Sequence, residues 1–485
     1  MRIHLVAVSG TGMGALAGLL QQLGHDVSGS DLAFDPPMGP ALASWGVKCL
    51  KDFDPAHLDP APDLVVVGNV CRRDNVEAQA AFERGLRVLH IASALQELVL
   101  DGTSPLVVAG THGKTTTTAL TAYLLDRAGF EPGFLIGGLP IDFDRSARPC
   151  VKKPHALPLH GQVNRAVPFV IEGDEYDTAF FEKTAKFLHY RAEVAIVTSI
   201  EQDHIDIYPT FASYRQAFEQ FVAQVPESGL IVAYAGDPQV VDVVQKHARA
   251  KVSYYALADE AQPHIPVHWL GAPASSRGTS NEFDLYAGGV FAGRFTTRLP
   301  GRHNLRNALA ALAAAAEGFG ASLDRLRKPL ANFAGVARRQ QELGAPRGIQ
   351  VVDDFAHHPT AVRETLLALR ARYQTGRLFC VFEPRSATAC RNLHQHAYPE
   401  AFDAADAVLI APLGRRNLPP EEQLDLARLV ADLRARGRQA DALDSIEAIL
   451  ERLVEQTKPG DCIALLSNGR FGGIHDQLLM RLSAE

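Results

Sequence analysis

Short apolar runs alternate along the chain with stretches in which apolar residues return every three or four positions. In the first hundred residues the runs are Ile3 to Val8, a short one near Val27, and Leu64 to Val67. A helical spacing extends from about Met13 to Leu23. Uninterrupted apolar runs suit strands covered on both faces, and strands alternating with amphipathic helices predict a parallel sheet. Gly102, Ser104 and Pro105 interrupt the pattern, so a boundary is expected between residues 103 and 104.

The pattern then resumes. Val107 to Ala109 leads into a helix from Thr115 to Arg127, closed by Gly129, and strands follow at Phe169 to Ile171 and Val194 to Val197. Residues 144–166 carry Pro149, Pro154 and Pro158 with little periodicity and read as a loop. Helices from Asn304 to Ala316 and Leu323 to Phe333 close this second unit, residues 104–334. A third, 335–485, has apolar runs at Gln350 to Val352, Leu378 to Phe382, Ala407 to Ile410 and Cys462 to Leu466. The expected architecture is three consecutive α/β domains, 1–103, 104–334 and 335–485.

Composition narrows the classes. A chain of 485 residues is too long for one core, and 47% apolar with 21% charged residues is ordinary for a globular protein. A net charge of −7 with no basic run argues against nucleic acid as a partner. No run is long enough to span a membrane, and the strand-like start does not read as a signal peptide. The six cysteines are scattered without a C-x-x-C pair, which fits a reducing cytoplasm and neither a disulfide framework nor a zinc site.

Candidate chemistry gathers at the predicted strand ends. Gly110-Thr111-His112-Gly113-Lys114-Thr115-Thr116 sits at a strand-to-helix junction, where glycines let backbone N–H groups surround anionic oxygens. Lys114 is placed to reach the β/γ-phosphates of a nucleotide and Thr115 to meet a magnesium ion. Val108 occupies the position of the usual first glycine, so Gly110 opens a shorter loop. Gly10-Thr11-Gly12-Met13-Gly14, with Asp31 further on, suits either a diphosphate cradle or a tight helix-packing turn.

Glu172-Gly173-Asp174-Glu175-Tyr176-Asp177 offers oxygen ligands for magnesium, or else forms a solvated acidic turn. Asp203-His204-Ile205-Asp206 adds an imidazole beside two carboxylates. Asn304 and Asn307, one helical turn apart, suit the edge of a purine, while Asn304 also suits a helix N-cap. Arg338-Arg339 and Asp353-Asp354-Phe355-Ala356-His357-His358-Pro359 bracket the strand that opens the third unit and suit closure over a γ-phosphate.

Together these segments resemble the Mur ligases, ATP-dependent amide-forming enzymes of peptidoglycan assembly. The resemblance spans nearly the whole chain and rests on the Gly10, Gly110, Glu172 and Asp203 segments with His303-Asn304-Leu305-Arg306-Asn307 and Asp354 to Pro359. It implies a Rossmann-like first domain for UDP-N-acetylmuramate, a P-loop NTPase-like central domain for ATP, and a Rossmann-like third domain for the incoming amine. It assigns Gly110, Thr111, His112, Gly113, Lys114, Thr115 and Thr116 to the phosphates of ATP, and Thr115 with Glu172 to one magnesium ion and His204 to a second. Asn304 and Asn307 then contact adenine, and Arg339 and Asp354 reach ATP from the third domain. Gly10, Thr11, Gly12, Met13, Asp31 and Asn69 meet the sugar nucleotide. His357, His358, Arg385, Ser386 and Thr388 meet the amine, and either histidine suits a general base.

Many family members carry a carbamylated lysine shortly after the Asp-His motif. Here no lysine occurs between Lys186 and Lys246, and Phe218 stands at that place, which is similar to the branch that dispenses with it. Phe180 to Phe187, Glu383 to Ala389 and Ser467 to His475 are similar to the family members that join preformed L-alanyl-γ-D-glutamyl-meso-diaminopimelate, the murein tripeptide, to UDP-N-acetylmuramate. The implied protein is a cytoplasmic monomer or weak homo-oligomer of wall recycling. Alternatives are the free L-alanine ligase of the same family and, from another class, a dinucleotide-binding oxidoreductase or sensor.

Overall fold

The computed structural model describes residues 1–35, 38–150, 165–262, 264–277, 280–415 and 417–484. Three large sheets lie along it among the described residues, with a two-stranded ribbon of Asp177–Ala179 and Glu182–Ala185 beside them. The first is parallel, in the order Lys48–Lys51, Asp26–Asp31, Arg2–Val6, Leu64–Val67, Val88–His90. Strand order reverses beside Arg2–Val6, so the crevice at its carboxyl end opens where the Gly10 turn feeds the helix Thr11–Gln22. The strand ends at Val6 rather than Val8 because Ala7 turns to φ +66°, and Ala7 and Val8 both donate to Ser30 O.

The second sheet has ten strands, with Ser104–Ala109 between Val194–Val197 and Pro168–Gly173. Leu106 to Ala109 and Val194 to Val197 are wholly buried, as continuous apolar runs in a covered parallel sheet should be. Leu230–Tyr234 and Lys251–Leu257 extend it, and an antiparallel meander, Val267–Arg277, Ser280–Ala287 and Val290–Thr297, finishes that edge. At the other edge Ala147–Arg148 pairs antiparallel with Gly133–Leu135. The expected loop therefore starts with a strand, held by Arg148, which donates to Asp126 at 2.6 Å and lies over the Phe134 ring. Residues 151–164 of that expected loop lie outside the described residues.

The third sheet runs Gln341–Gly344, Gln350–Asp354, Cys462–Leu466, Leu378–Phe382, Ala407–Ile410, Gln439–Ala442, parallel except for the first strand. Its inner strands deliver Asp354 and Ser467 to one end of the sheet, facing the central unit. No helix among the described residues is long and apolar enough to cross a membrane.

Candidate active site

The loop from Gly110 to Gly113 joins the central strand to the helix Lys114–Arg127. Gly110 adopts φ +137° and Gly113 φ +79°, and a Cβ would lie 2.1 Å from Thr198 Oγ1 at the first and 2.6 Å from Asn307 Oδ1 at the second. Conformation and space both demand glycine there. The loop is tied to the next strand end: Thr111 N donates to Ser199 O (2.9 Å), His112 N to Ser199 Oγ (3.0 Å), and Thr198 Oγ1 to His112 O (2.6 Å). The first N–H groups of the helix, from Lys114 onward, have no intrahelical acceptor and form an anion site.

Behind the loop is a dense charge cluster. Lys114 Nζ donates to Gly110 O at 2.6 Å and pairs with Glu175 at 2.9 Å, and Glu175 is fully buried. His204 Nε2 stands 3.2 Å from the same carboxylate and Tyr214 OH donates to it at 3.3 Å. Burial would raise the Glu175 carboxyl, but Lys114 and His204 outweigh it and hold it down to about 2. Burial opposes the Lys114 ammonium, and Glu175 and Asp174 more than offset that, so its affinity for the proton is raised. His204 is likewise raised, since Glu175 and Asp203 outweigh its burial.

Thr115 Oγ1 donates to Glu172 at 2.7 Å, and the other Glu172 oxygen accepts from Gly137 N at 2.6 Å. Burial pushes the Glu172 carboxyl up. With Glu172 and Glu175 both buried, the acidic run is not a solvated turn.

The third unit completes the site. Arg339 donates to Thr115 Oγ1 at 3.0 Å, and its guanidinium lies over the Phe355 ring, with Arg338 also on that ring. Thr360 Oγ1 donates to Glu201 at 2.7 Å, Gln340 Nε2 meets His303 at 3.2 Å, and Glu364 faces Arg306 at 3.5 Å. These contacts join helix Pro359–Arg372 and the connecting segment to the central unit, so the structure is closed. A cavity of about 510 Å³ remains, lined by Thr111 to Thr116, Glu172, His204, Asn304, Asn307, Arg339, Asp354, His357 and His358, among others.

Neighbouring residues take distinct tasks. Asp354 borders the cavity, but its oxygens accept from Gln340 N (2.7 Å) and Ala356 N (2.7 Å), so it fixes the segment that carries Arg339. His358 Nδ1 accepts from Thr360 N and caps a helix, which puts its proton on Nε2. His357 Nδ1 lies 3.1 Å from Phe355 O and donates to it, leaving Nε2 as an acceptor. Burial lowers His357 and holds the ring neutral. Asn304 is not the N-cap of its helix, which is Gly301 at φ +91°. Asn304 instead donates to Pro300 O (2.7 Å) and accepts from Asn307 (3.1 Å).

Other expected residues lie apart from this cavity. Asp31 accepts from Ser9 N and Leu32 N, each at 2.8 Å, so it braces the Gly10 turn. Gly10, Thr11, Gly12 and Asn69 are exposed at the first crevice, whereas the Met13 side chain is buried in the core. Arg385 is exposed, packed against Gly414 and Gly469, with Ser386 accepting from Ala389 N and Thr388 buried beneath. Asp206 is exposed. Phe218 is fully buried against Phe187 and Tyr214.

Sequence reasoning did not single out Glu175, Glu201 or Glu364, although each had a signal: a strand-end carboxylate or a charge one turn into a helix beside a motif.

Three family descriptions match the chain: Mur ligase family, catalytic domain, over residues 2–102, Mur ligase middle domain over 108–315, and Mur ligase, glutamate ligase domain, over 338–469. The UDP-N-acetylmuramate–L-alanyl-γ-D-glutamyl-meso-2,6-diaminoheptandioate ligase of Escherichia coli (strain K12) is 35% identical across 99% of this chain and 98% of its own. A UDP-N-acetylmuramate–L-alanine ligase of Roseiflexus sp. (strain RS-1) is also 35% identical, across 97% of this chain and 96% of its own. The crystal structure of a murein peptide ligase from Psychrobacter arcticus 273-4 superposes with a TM-score of 0.73 at 34% identity, covering 100% of this chain and 99% of that one.

Proposed function

The chain belongs to the Mur ligase family, and we propose that it joins L-alanyl-γ-D-glutamyl-meso-diaminopimelate to the lactyl carboxylate of UDP-N-acetylmuramate at the expense of ATP. The observation that carries this reading is the cavity in which the Lys114 loop, the Glu172 carboxylate and Arg339 of the third unit meet, with Glu175 buried against Lys114.

A carboxylate is a poor electrophile for an amine, so the acid must first take the γ-phosphoryl group as an acyl phosphate. The N-terminus of helix Lys114–Arg127 and the Lys114 ammonium bind the phosphates, and Arg339 approaches them from the opposite wall. Thr115 and Glu172 offer hard oxygens 2.7 Å apart, a donor set that fits magnesium, and an ion held by them would supply charge neutralisation for phosphoryl transfer. His204 fits a second ion less simply, because its Nε2 is engaged by Glu175.

Closure of the third unit through Thr360, Gln340 and Glu364 excludes water, which would otherwise hydrolyse the acyl phosphate. The peptide amine must arrive deprotonated, and His357, neutral with Nε2 unprotonated, suits that task better than His358, whose Nδ1 is spent on a helix cap. Attack on the acyl carbon then expels phosphate and leaves the amide. These substrates fit a reaction in the cytoplasm.

One feature favours the tripeptide over free L-alanine. Arg385 is exposed on Gly469 and Gly414, with no ion pair among the described residues, and suits a carboxylate of the peptide. Phe218 fills the lysine position with a buried ring, which fits the branch without a carbamate and does not separate the two amines, since the L-alanine ligases belong to that branch as well. Phosphate release is to be followed with UDP-N-acetylmuramate, ATP and either amine. Turnover with the tripeptide that exceeds turnover with L-alanine supports the reading, and turnover with L-alanine alone replaces it by the L-alanine ligase.

A further inference from the structure

A second cluster of ligating side chains lies at the joint between the first and central units. His90 ends the strand Val88–His90 of the first sheet, while Glu182 and His189 come from the strand Glu182–Ala185 and the short helix Lys186–His189 of the central unit. His90 Nε2 is 3.1 Å from one Glu182 oxygen, His189 Nε2 is 3.5 Å from the other, and the three ligand atoms lie within 4.8 Å of one another. Bonds of about 2.0–2.1 Å to a tetrahedral ion put adjacent ligands roughly 3.3 Å apart, close to the two histidine-to-carboxylate separations.

From this juxtaposition we propose that His90, Glu182 and His189 form a binding site for a zinc-class divalent transition metal that joins the first unit to the central one. Two imidazoles and one carboxylate select such an ion over magnesium or calcium, and a water completes the fourth position. His90 is almost wholly buried, whereas the Glu182 side chain is 43% exposed, so the ion enters from the Glu182 side.

Part of the surroundings must shift to receive it. Ser93 N donates to His90 Nδ1 at 3.2 Å, which puts the ring proton on Nε2 toward Glu182, so ligation through Nε2 moves that proton to Nδ1, breaks this cap and leaves Ser93 Oγ, 3.0 Å away, as its acceptor. The Gln96 amide, turned so that its nitrogen donates to His189 O at 3.2 Å and its oxygen accepts from Arg191, holds the His189 backbone to the first unit. Burial lowers both imidazoles, so each is neutral and able to ligate near pH 7. Two hydroxyls compete and must be displaced: Ser93 Oγ lies 2.8 Å from His90 Nε2, and the exposed Thr184 hydroxyl 2.8 Å from His189 Nε2.

The test uses the full chain, stripped of metal with a chelator and titrated with Zn2+ and with Co2+ without nucleotide. His112, Glu201 and His358 form another group of ligating geometry at the ATP cavity, so the titration is run in the parent and in Glu201→Gln. One equivalent that persists in Glu201→Gln, with the Co2+ absorption of a low-coordinate site, supports the proposal when His189→Ala and Glu182→Gln each weaken it by about 100-fold or more. Thr184→Ala, which keeps every ligand, binds Zn2+ several-fold more tightly on this account. Loss of the equivalent in Glu201→Gln, parental affinity in His189→Ala and Glu182→Gln, or a Thr184→Ala protein that binds no tighter, overturns it.

Discussion

Replacing Glu175 with glutamine separates what the buried carboxylate does for folding from what it does for ATP. Glu175 lies 2.9 Å from Lys114, 3.2 Å from His204 and 3.3 Å from the Tyr214 hydroxyl, with no exposure to water. Glu175→Gln keeps the shape, removes the charge and turns one acceptor into a donor toward cations that remain. Removing one partner of a buried ion pair costs about 3–5 kcal/mol. Lys114 keeps Gly110 O at 2.6 Å, so the lower end applies. For a unit the size of the central one, about 3 kcal/mol lowers the melting temperature by roughly 6–12 °C.

The phosphates of ATP bring the missing negative charge to the same ammonium, so saturating ATP raises the variant's melting temperature by more than the wild type's. The assay is a thermal melt of both proteins with and without nucleotide. An unchanged melting temperature, or an ATP shift no larger than that of the wild type, refutes the assignment of Glu175 as the group that Lys114 exchanges for phosphate.

Other expectations follow from the same geometry. Gly113→Ala puts a Cβ 2.6 Å from Asn307 Oδ1 on a backbone at φ +79° and lowers ATP affinity about 10-fold or more by calorimetry, a cost of the order of strain at a left-handed position. Arg339→Lys loses the planar group shared by Thr115 and Phe355, and steady-state kinetics should show kcat falling about 100-fold with a smaller change in the KM for ATP. Glu201 and Glu364 span the closure seam. Burial would raise both, but His112 with Thr360, and His303 with Arg306, hold each down to about 2 from the ordinary 4.5. Their contribution to the closed form is therefore complete above about pH 4.5 and lost as pH falls toward 2. Small-angle scattering should show a constant radius of gyration from pH 7 to about 4.5, and an opening midpoint near pH 6 contradicts this.

Much of the architecture was legible because its strands are buried on both faces. Leu64 to Val67 and Cys462 to Leu466 appear at the expected residues, since a parallel strand under two helical layers has no polar positions to obscure it. Several strands that escaped notice are edges or half-exposed: Lys48–Lys51, Gln341–Gly344 and Gln439–Ala442 are short and polar, and Val290–Thr297 is only partly buried; the buried inner strands Leu230–Tyr234 and Lys251–Leu257 escaped as well. At the site, residues bound to a local turn were readable, because Gly110, Gly113 and Lys114 must be adjacent in sequence to act. Glu175, Glu201 and Glu364 matter only through partners brought together by folding, 61 positions away for Glu175 and Lys114. The division between His357 and His358 rests on which nitrogen each spends on a neighbouring backbone group, which spacing alone does not encode.

The central claim is that the Lys114 site makes an acyl phosphate from the sugar nucleotide's carboxylate. It is tested most directly with UDP-N-acetylmuramate carrying 18O in the lactyl carboxylate, incubated with ATP and the tripeptide, and the released phosphate analysed by mass. The account predicts one carboxylate-derived 18O in each phosphate formed with amide product. Unlabelled phosphate accompanying amide formation contradicts it.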